Sequence, residues 1–140
     1  MKIISEDVGI MGTGSNFFRS GLVHSSGAVY IGTYGPQPAR VWCCEPRTGR
    51  LEQIGAPGEY QIDCMVEAPN GIVYMGTAYS ALVYRLDPAT NEITSLGSPA
   101  LDSTSWIFTM IRTRRGEGYG AQGGGLFRLD WRHDRLEAIG

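Results

Sequence analysis

"GAVYIGTY" (residues 27–34) and "GIVYMGTA" (residues 71–78) are one phrase written twice, 44 residues apart. The leading glycine, the Val-Tyr pair and the Gly-Thr pair stay in register. A third version, "GEGYGAQG" (residues 116–123), keeps Gly116 and Tyr119 and has drifted elsewhere. The residues C-terminal to each phrase repeat as well. "RVWCCEPRTGRLEQIG", "LVYRLDPATNEITSLG" and "GLFRLDWRHDRLEAIG" end at Gly55, Gly97 and Gly140, 42 and 43 residues apart. Trp42, Tyr84 and Phe127 share one position of this repeat, and Cys44, Leu86 and Leu129 another. Leu51, Ile93 and Leu136 share a third, and Ile54, Leu96 and Ile139 a fourth.

Each unit reads as four short strands. "SGLVHS", "CMVEAP" and "FTMIRT" are apolar-rich runs that end in the turn residues "SSG", "PNG" and "RRG". The glycine phrase comes next, rich in β-branched and aromatic residues. "VWCCEP", "VYRLDP" and "LFRLDW" then alternate along the chain, and "LEQIG", "ITSLG" and "LEAIG" close the units. Pro46 and Pro88 stop the third run where a chain reversal is needed. No segment carries a helical period over eleven or more residues. Four antiparallel strands at a period near 43 define a β-propeller blade. A lone blade has two apolar faces, and stacking blades buries each face on its neighbour.

The sequence therefore predicts an all-β β-propeller with three four-stranded antiparallel blades. Residues 1–18 form a lead-in strand or linker, 19–60 the first blade, 61–104 the second and 105–140 the third. Closed propellers have about four to eight blades. Three leave two apolar faces uncovered, so self-association into a six-bladed ring is expected, with a piece of a longer propeller as the alternative.

"NGIVYMGTAYSALVYRLDPATNEITSLG" (residues 70–97) resembles the blades of the propeller superfamily that includes YVTN-type repeats, quinoprotein dehydrogenases and several polysaccharide lyases. The third unit departs from the phrase, with Gln122 in place of Thr33 and Thr77, and Trp131 in place of the proline. The resemblance implies the fold. It leaves the function open, because such blades serve enzymes, scaffolds and ligand binders alike.

Composition narrows the function classes. A net charge of −2 gives no electrostatic case for nucleic acid. The cluster Arg112, Arg114 and Arg115 reads as a strand end and turn. Three cysteines, no CxxC pair and two histidines point to neither a disulfide framework nor a zinc site. No run is long and apolar enough for a membrane helix. "MKIISEDVGI" places Glu6 and Asp7 where a secretion signal needs its apolar stretch, so a cytoplasmic setting is expected. "GTGS" (residues 12–15) lacks the Gly-Lys of a phosphate loop, and no nucleophile elbow or H-E-x-x-H pattern is present. No cofactor and no metal are expected.

Blade position marks the candidate ligand-binding residues. His24 lies at the end of the first inner strand, where the other units carry Ala68 and Thr113. Asp63 and Arg112 lie on inner strands, which line the channel of a propeller. Tyr34, Tyr79 and Gln122 come just after second strands. With Arg40, Tyr60 and Trp106 they are expected to form an aromatic and basic rim, suited to stacking a sugar and gripping a carboxylate. The expected function is a ligand-binding or scaffold module for a small anionic or sugar-like ligand at the channel. The alternative is a lyase-like carbohydrate-active enzyme. The resemblance to the lyases implies histidine or tyrosine as base and arginine as charge holder, and His24, Tyr34, Tyr79 and Arg40 are the residues available.

Overall fold

The structure is a computed structural model, and it describes residues 17–35, 38–99, 101 and 106–139. The lead-in segment up to residue 16, including "GTGS", lies outside the described residues.

Twelve strands and no helix occur among the described residues. In chain order they are β1 (Phe17–Val23), β2 (Val29–Tyr34), β3 (Val41–Glu45) and β4 (Arg50–Gly55); β5 (Gln61–Glu67), β6 (Val73–Ala78), β7 (Val83–Asp87) and β8 (Glu92–Gly97); and β9 (Ile107–Arg112), β10 (Gly118–Gln122), β11 (Gly125–Asp130) and β12 (Arg135–Ala138). Each group of four pairs antiparallel in sequence order. The pair Tyr34↔Gln61 joins the first group to the second, so β1–β8 form one curled sheet. The bridge Ala78↔Trp106 stands at the same place between the second and third. This is a β-propeller built of four-stranded blades, with β1, β5 and β9 side by side as inner strands.

The repeated Gly-Thr pair now has a physical cause. A Cβ on Gly32 would lie 2.7 Å from Cγ2 of Ile62, and one on Gly76 at 2.7 Å from Cγ2 of Ile107. Each glycine lets the next blade's inner strand pack against the sheet. Each threonine then closes the loop after it. Thr33 Oγ1 accepts from Arg40 N–H at 2.9 Å, and Thr77 Oγ1 both accepts from Leu82 N–H and donates to Leu82 O.

The drift of the third copy is compensatory. Trp131 lies over Gly118, where a Cβ would meet its ring at 2.1 Å, and Phe127 lies over Gly120. The large residues of this blade thus occupy the space that Val73 and Met75 fill in the second. Trp131 Nε1 donates to Gly116 O at 2.7 Å, and its ring packs on Tyr74.

Two apolar layers hold the blades together. Tyr30, Val41, Ile62, Met65, Met75 and Leu86 belong to the first layer; Val66, Tyr74, Val83, Ile107, Phe127 and Leu129 belong to the second. Burying side chains of this size contributes about 1.5–3 kcal/mol each. β6, in the middle blade, is buried at all six positions.

Candidate functional site

Six aromatic rings run in an unbroken series across one end of the blades. Phe17 stacks on Tyr34 at 5.4 Å between centroids, and Tyr34 meets Tyr60 at 6.2 Å. Tyr60 meets Tyr79 edge to face at 4.9 Å, Tyr79 meets Trp106 at 5.7 Å, and Trp106 meets Phe108 at 5.3 Å. The topology explains the gathering. Phe17 starts β1, Tyr34 ends β2, Tyr60 ends the β4–β5 connection, Tyr79 opens the β6–β7 loop and Trp106 precedes β9. In an antiparallel blade these points share one edge.

The series is wet. Phe17, Tyr79 and Phe108 are each more than half exposed. Large apolar rings in contact with one another and with solvent form a surface that water covers poorly, which is what a stacking ligand replaces. The backbone is bent to present it. Tyr79 has φ of 69° and Ala81 of 48°, both in the left-handed region, at a cost of about 1–2 kcal/mol per residue. Gly35, with φ of 25°, lies close under Tyr60: a Cβ there would be 3.2 Å from the tyrosine hydroxyl.

A polar group adjoins the strip. Asp63, its side chain only 2% exposed, accepts from Arg19 Nε at 2.6 Å. Gln61 Nε2 reaches both of its carboxylate oxygens at 3.1 Å. Arg19 and Asp63 occupy equivalent places on β1 and β5, and Phe108 the same place on β9. Arg40 immediately precedes β3 at this same end, with its main chain bonded to Thr33.

The residues singled out in the sequence divide between the two ends. Tyr34, Arg40, Asp63 and Tyr79 come to the aromatic end, along with Tyr60 and Trp106. His24 directly follows β1 and Arg112 ends β9, both at the opposite end. His24 is 8% exposed and bonded through both ring nitrogens. Its Nδ1 accepts from Ser26 N–H at 3.1 Å, which leaves Nε2 to donate to Gly71 O at 2.8 Å. Glu67 Oε1 lies 3.4 Å from Nε2, and Ser25 donates to Glu67 through its N–H and its hydroxyl. The network ties the first blade's turn to the second blade. Gln122 is buried, and its Oε1 accepts from Leu101 N–H at 3.2 Å.

Phe17, Phe108 and Arg19 also belong to the aromatic end, although no local motif in the sequence marks them. The signal that could have found them is repeat register: Arg19, Asp63 and Phe108 share one position, and it differs in chemistry in all three units.

No family model and no curated protein sequence matches the chain. Solved structures do. Virginiamycin B lyase from Staphylococcus aureus superposes with a TM-score of 0.72 at 14% identity, over 87% of this chain and 40% of its own. A streptogramin B lyase gives 0.74 at 13% identity, over 96% and 43%. An auxiliary nutrient binding protein from Bacteroides thetaiotaomicron gives 0.68 at 17% identity, over 86% and 30%. The chain spans about two fifths of the length of the lyases and less of the binding protein. At these identities the likeness shows the fold: a propeller-type all-β chain.

Proposed function

We propose that this chain is a ligand-binding propeller module whose site is the aromatic end. The unbroken series from Phe17 to Phe108 is the observation that carries the reading. Its ligand is a ring-bearing small molecule, sugar-like in shape, that lays a weakly hydrated face on the exposed ring of Tyr79, with Tyr60 and Trp106 standing nearly perpendicular on either side. Arg40 supplies positive charge at the same end for an anionic substituent. Asp63 holds Arg19 in place and balances its charge, so Arg19 contributes hydrogen-bond donors and no net charge. The proposed site omits His24 and Arg112, because both stand at the far end of the blades.

The reading is tested by titrating the protein with a panel of neutral and uronate-containing oligosaccharides and following tryptophan fluorescence, which Trp106 reports. Uronate-containing members should bind more tightly than neutral ones. Tyr79→Ala and Tyr60→Ala should each weaken binding about 2- to 12-fold, since a ring contact contributes about 0.5–1.5 kcal/mol. If no member of the panel binds, or if both variants bind like the parent, the aromatic strip is not the site.

A lyase acting at the same strip is the second reading, supported by the structural likeness to two lyases. In that reading Tyr34 or Tyr79 serves as base, and a general base must reach its proton at hydrogen-bond distance. Appearance of an unsaturated product, abolished by the corresponding phenylalanine variant, separates the two readings.

A further inference from the structure

We propose that the outward faces of the first and third blades are the two halves of one more blade junction, and that a second copy of this chain fills it. Two copies then close a six-bladed ring about a two-fold axis.

Single repeat positions change character from blade to blade. Val41 packs on the second blade and Val83 on the third, both with no exposure; Leu126, at the same position, is 53% exposed. Leu22 and Val66 join the same two layers, whereas Ile111 is 55% exposed. Ile54 and Leu96 also join them, whereas Ile139 is 52% exposed. The third blade therefore presents the leading half of a junction with none of the described residues upon it.

The trailing half is on the first blade. Ile62 and Ile107 pair with Thr77 and Gln122 in the sheet and are fully buried against the preceding blade. Phe18 pairs with Thr33 in the same register and is 61% exposed. Val29 and Ile31 are half-buried where Val73 and Met75 are inaccessible.

Both halves belong to one chain and complement each other head to tail, which generates a ring if the rotation closes. Six blades lie within the range of about four to eight that closed propellers adopt. The register of the two internal junctions pairs Tyr34 with Gln61 and Ala78 with Trp106. Applied to the new junction, it sets Gly123 of one copy against Phe17 of the other. The two aromatic strips, one from each copy, then share one mouth of the channel, with Gly123 and Gly124 between them. One difference from the internal junctions is visible: Ala121 stands where Gly32 and Gly76 admit an isoleucine, and Phe18 stands where that isoleucine would be. Both are larger than their counterparts, so the new junction packs differently from the internal ones at this point.

Sedimentation equilibrium of the 140-residue chain at tens of micromolar should give twice the chain mass. Leu126→Asp and Phe18→Asp alter exposed residues, so each should keep the far-UV circular dichroism of the parent and sediment as a monomer. Mixing these two variants should restore dimers, because one junction of the mixed pair is then unaltered. Val83→Asp, at the buried equivalent of Leu126, should unfold. A monomeric parent would overturn the proposal and assign the faces to blades of a longer chain. So would a mass that grows without limit with concentration, or a dimer insensitive to both substitutions, or a mixture that stays monomeric.

Discussion

The Tyr74 hydroxyl donates to the carboxylate of Asp134, joining the second blade to the outer turn of the third. Arg85 Nε lies 3.5 Å from the other oxygen of the same carboxylate. Asp134 has φ of 51°, so its backbone is held in the left-handed region where the bond is made. Tyr74→Phe should cost about 1–2 kcal/mol, because the ring stays packed and one hydrogen bond to a charged group is lost. Asp134→Ala should cost as much or more. In denaturant melts the double variant should fall short of the sum, since both changes remove one interaction.

Gly76 and Gly124 make a controlled pair. An alanine Cβ at Gly76 would meet Cys64 Sγ and Ile107 Cγ2, each at 2.7 Å. At Gly124 it would meet nothing within 4 Å, and φ there is not positive. Gly76→Ala should destabilise by about 1–3 kcal/mol through overpacking at the second junction. Gly124→Ala should be neutral or raise the melting temperature, since it restricts only the unfolded chain. Equal effects of the two substitutions would contradict packing between blades as the cause.

Tyr79 tests whether strain serves the site. Tyr79→Gly relieves the positive φ and should hold or raise stability by up to about 1–2 kcal/mol. The same change removes a ring from the middle of the strip, so affinity for a uronate oligosaccharide should fall about 2- to 12-fold. A fall in stability with no change in affinity would mark Tyr79 as a packing residue.

His24→Ala should act in the opposite sense. It removes the group that bonds Gly71 O and faces Glu67, so it should cost about 1–3 kcal/mol of stability. Binding at the aromatic end should be unchanged in fluorescence titration. Loss of binding in a folded His24→Ala protein would place the ligand at the other end of the channel.

Alkaline pH should unfold this protein earlier than its carboxylates and arginines predict. Burial raises Tyr84 to about 12, aided by its hydrogen bond to Glu59, and raises Tyr30 to about 12. Burial likewise lifts the Cys64 thiol to about 12. The unfolded chain releases these protons nearer the ordinary values of 10.0 and 9.0. The folded state thus binds more protons over that interval, and stability falls as pH rises from about 9 towards 12. Thermal melts in that window should show the fall. Tyrosinate absorbance should show Tyr30, Tyr74 and Tyr84 ionising late, all raised chiefly by burial.

The twelve strands and their grouping by four were legible in the sequence, because alternation, turn residues and a 42–45-residue period are local properties that repeat. The Gly-Thr phrase was legible as a mark, but its cause was not. Gly32 and Gly76 answer to Ile62 and Ile107, which lie some 30 residues further on and touch them only when blades stack. Loop position alone brought Tyr34, Arg40, Tyr60, Tyr79 and Trp106 to one rim. That Phe17 and Phe108 extend the series, and that Asp63 pairs with Arg19 beside it, depends on which residues of neighbouring inner strands fall level. Tertiary structure alone also decided the place of His24. A histidine on an inner strand reads as channel-lining until the chain folds and Gly71 O, from the next blade, accepts a hydrogen bond from its ring N–H. The sequence by itself determined the repeat and the turns, since each is written within a single blade. Contact between blades decided which side chains stay exposed and which are bonded, because burial and hydrogen bonding there are set by residues far apart in the chain.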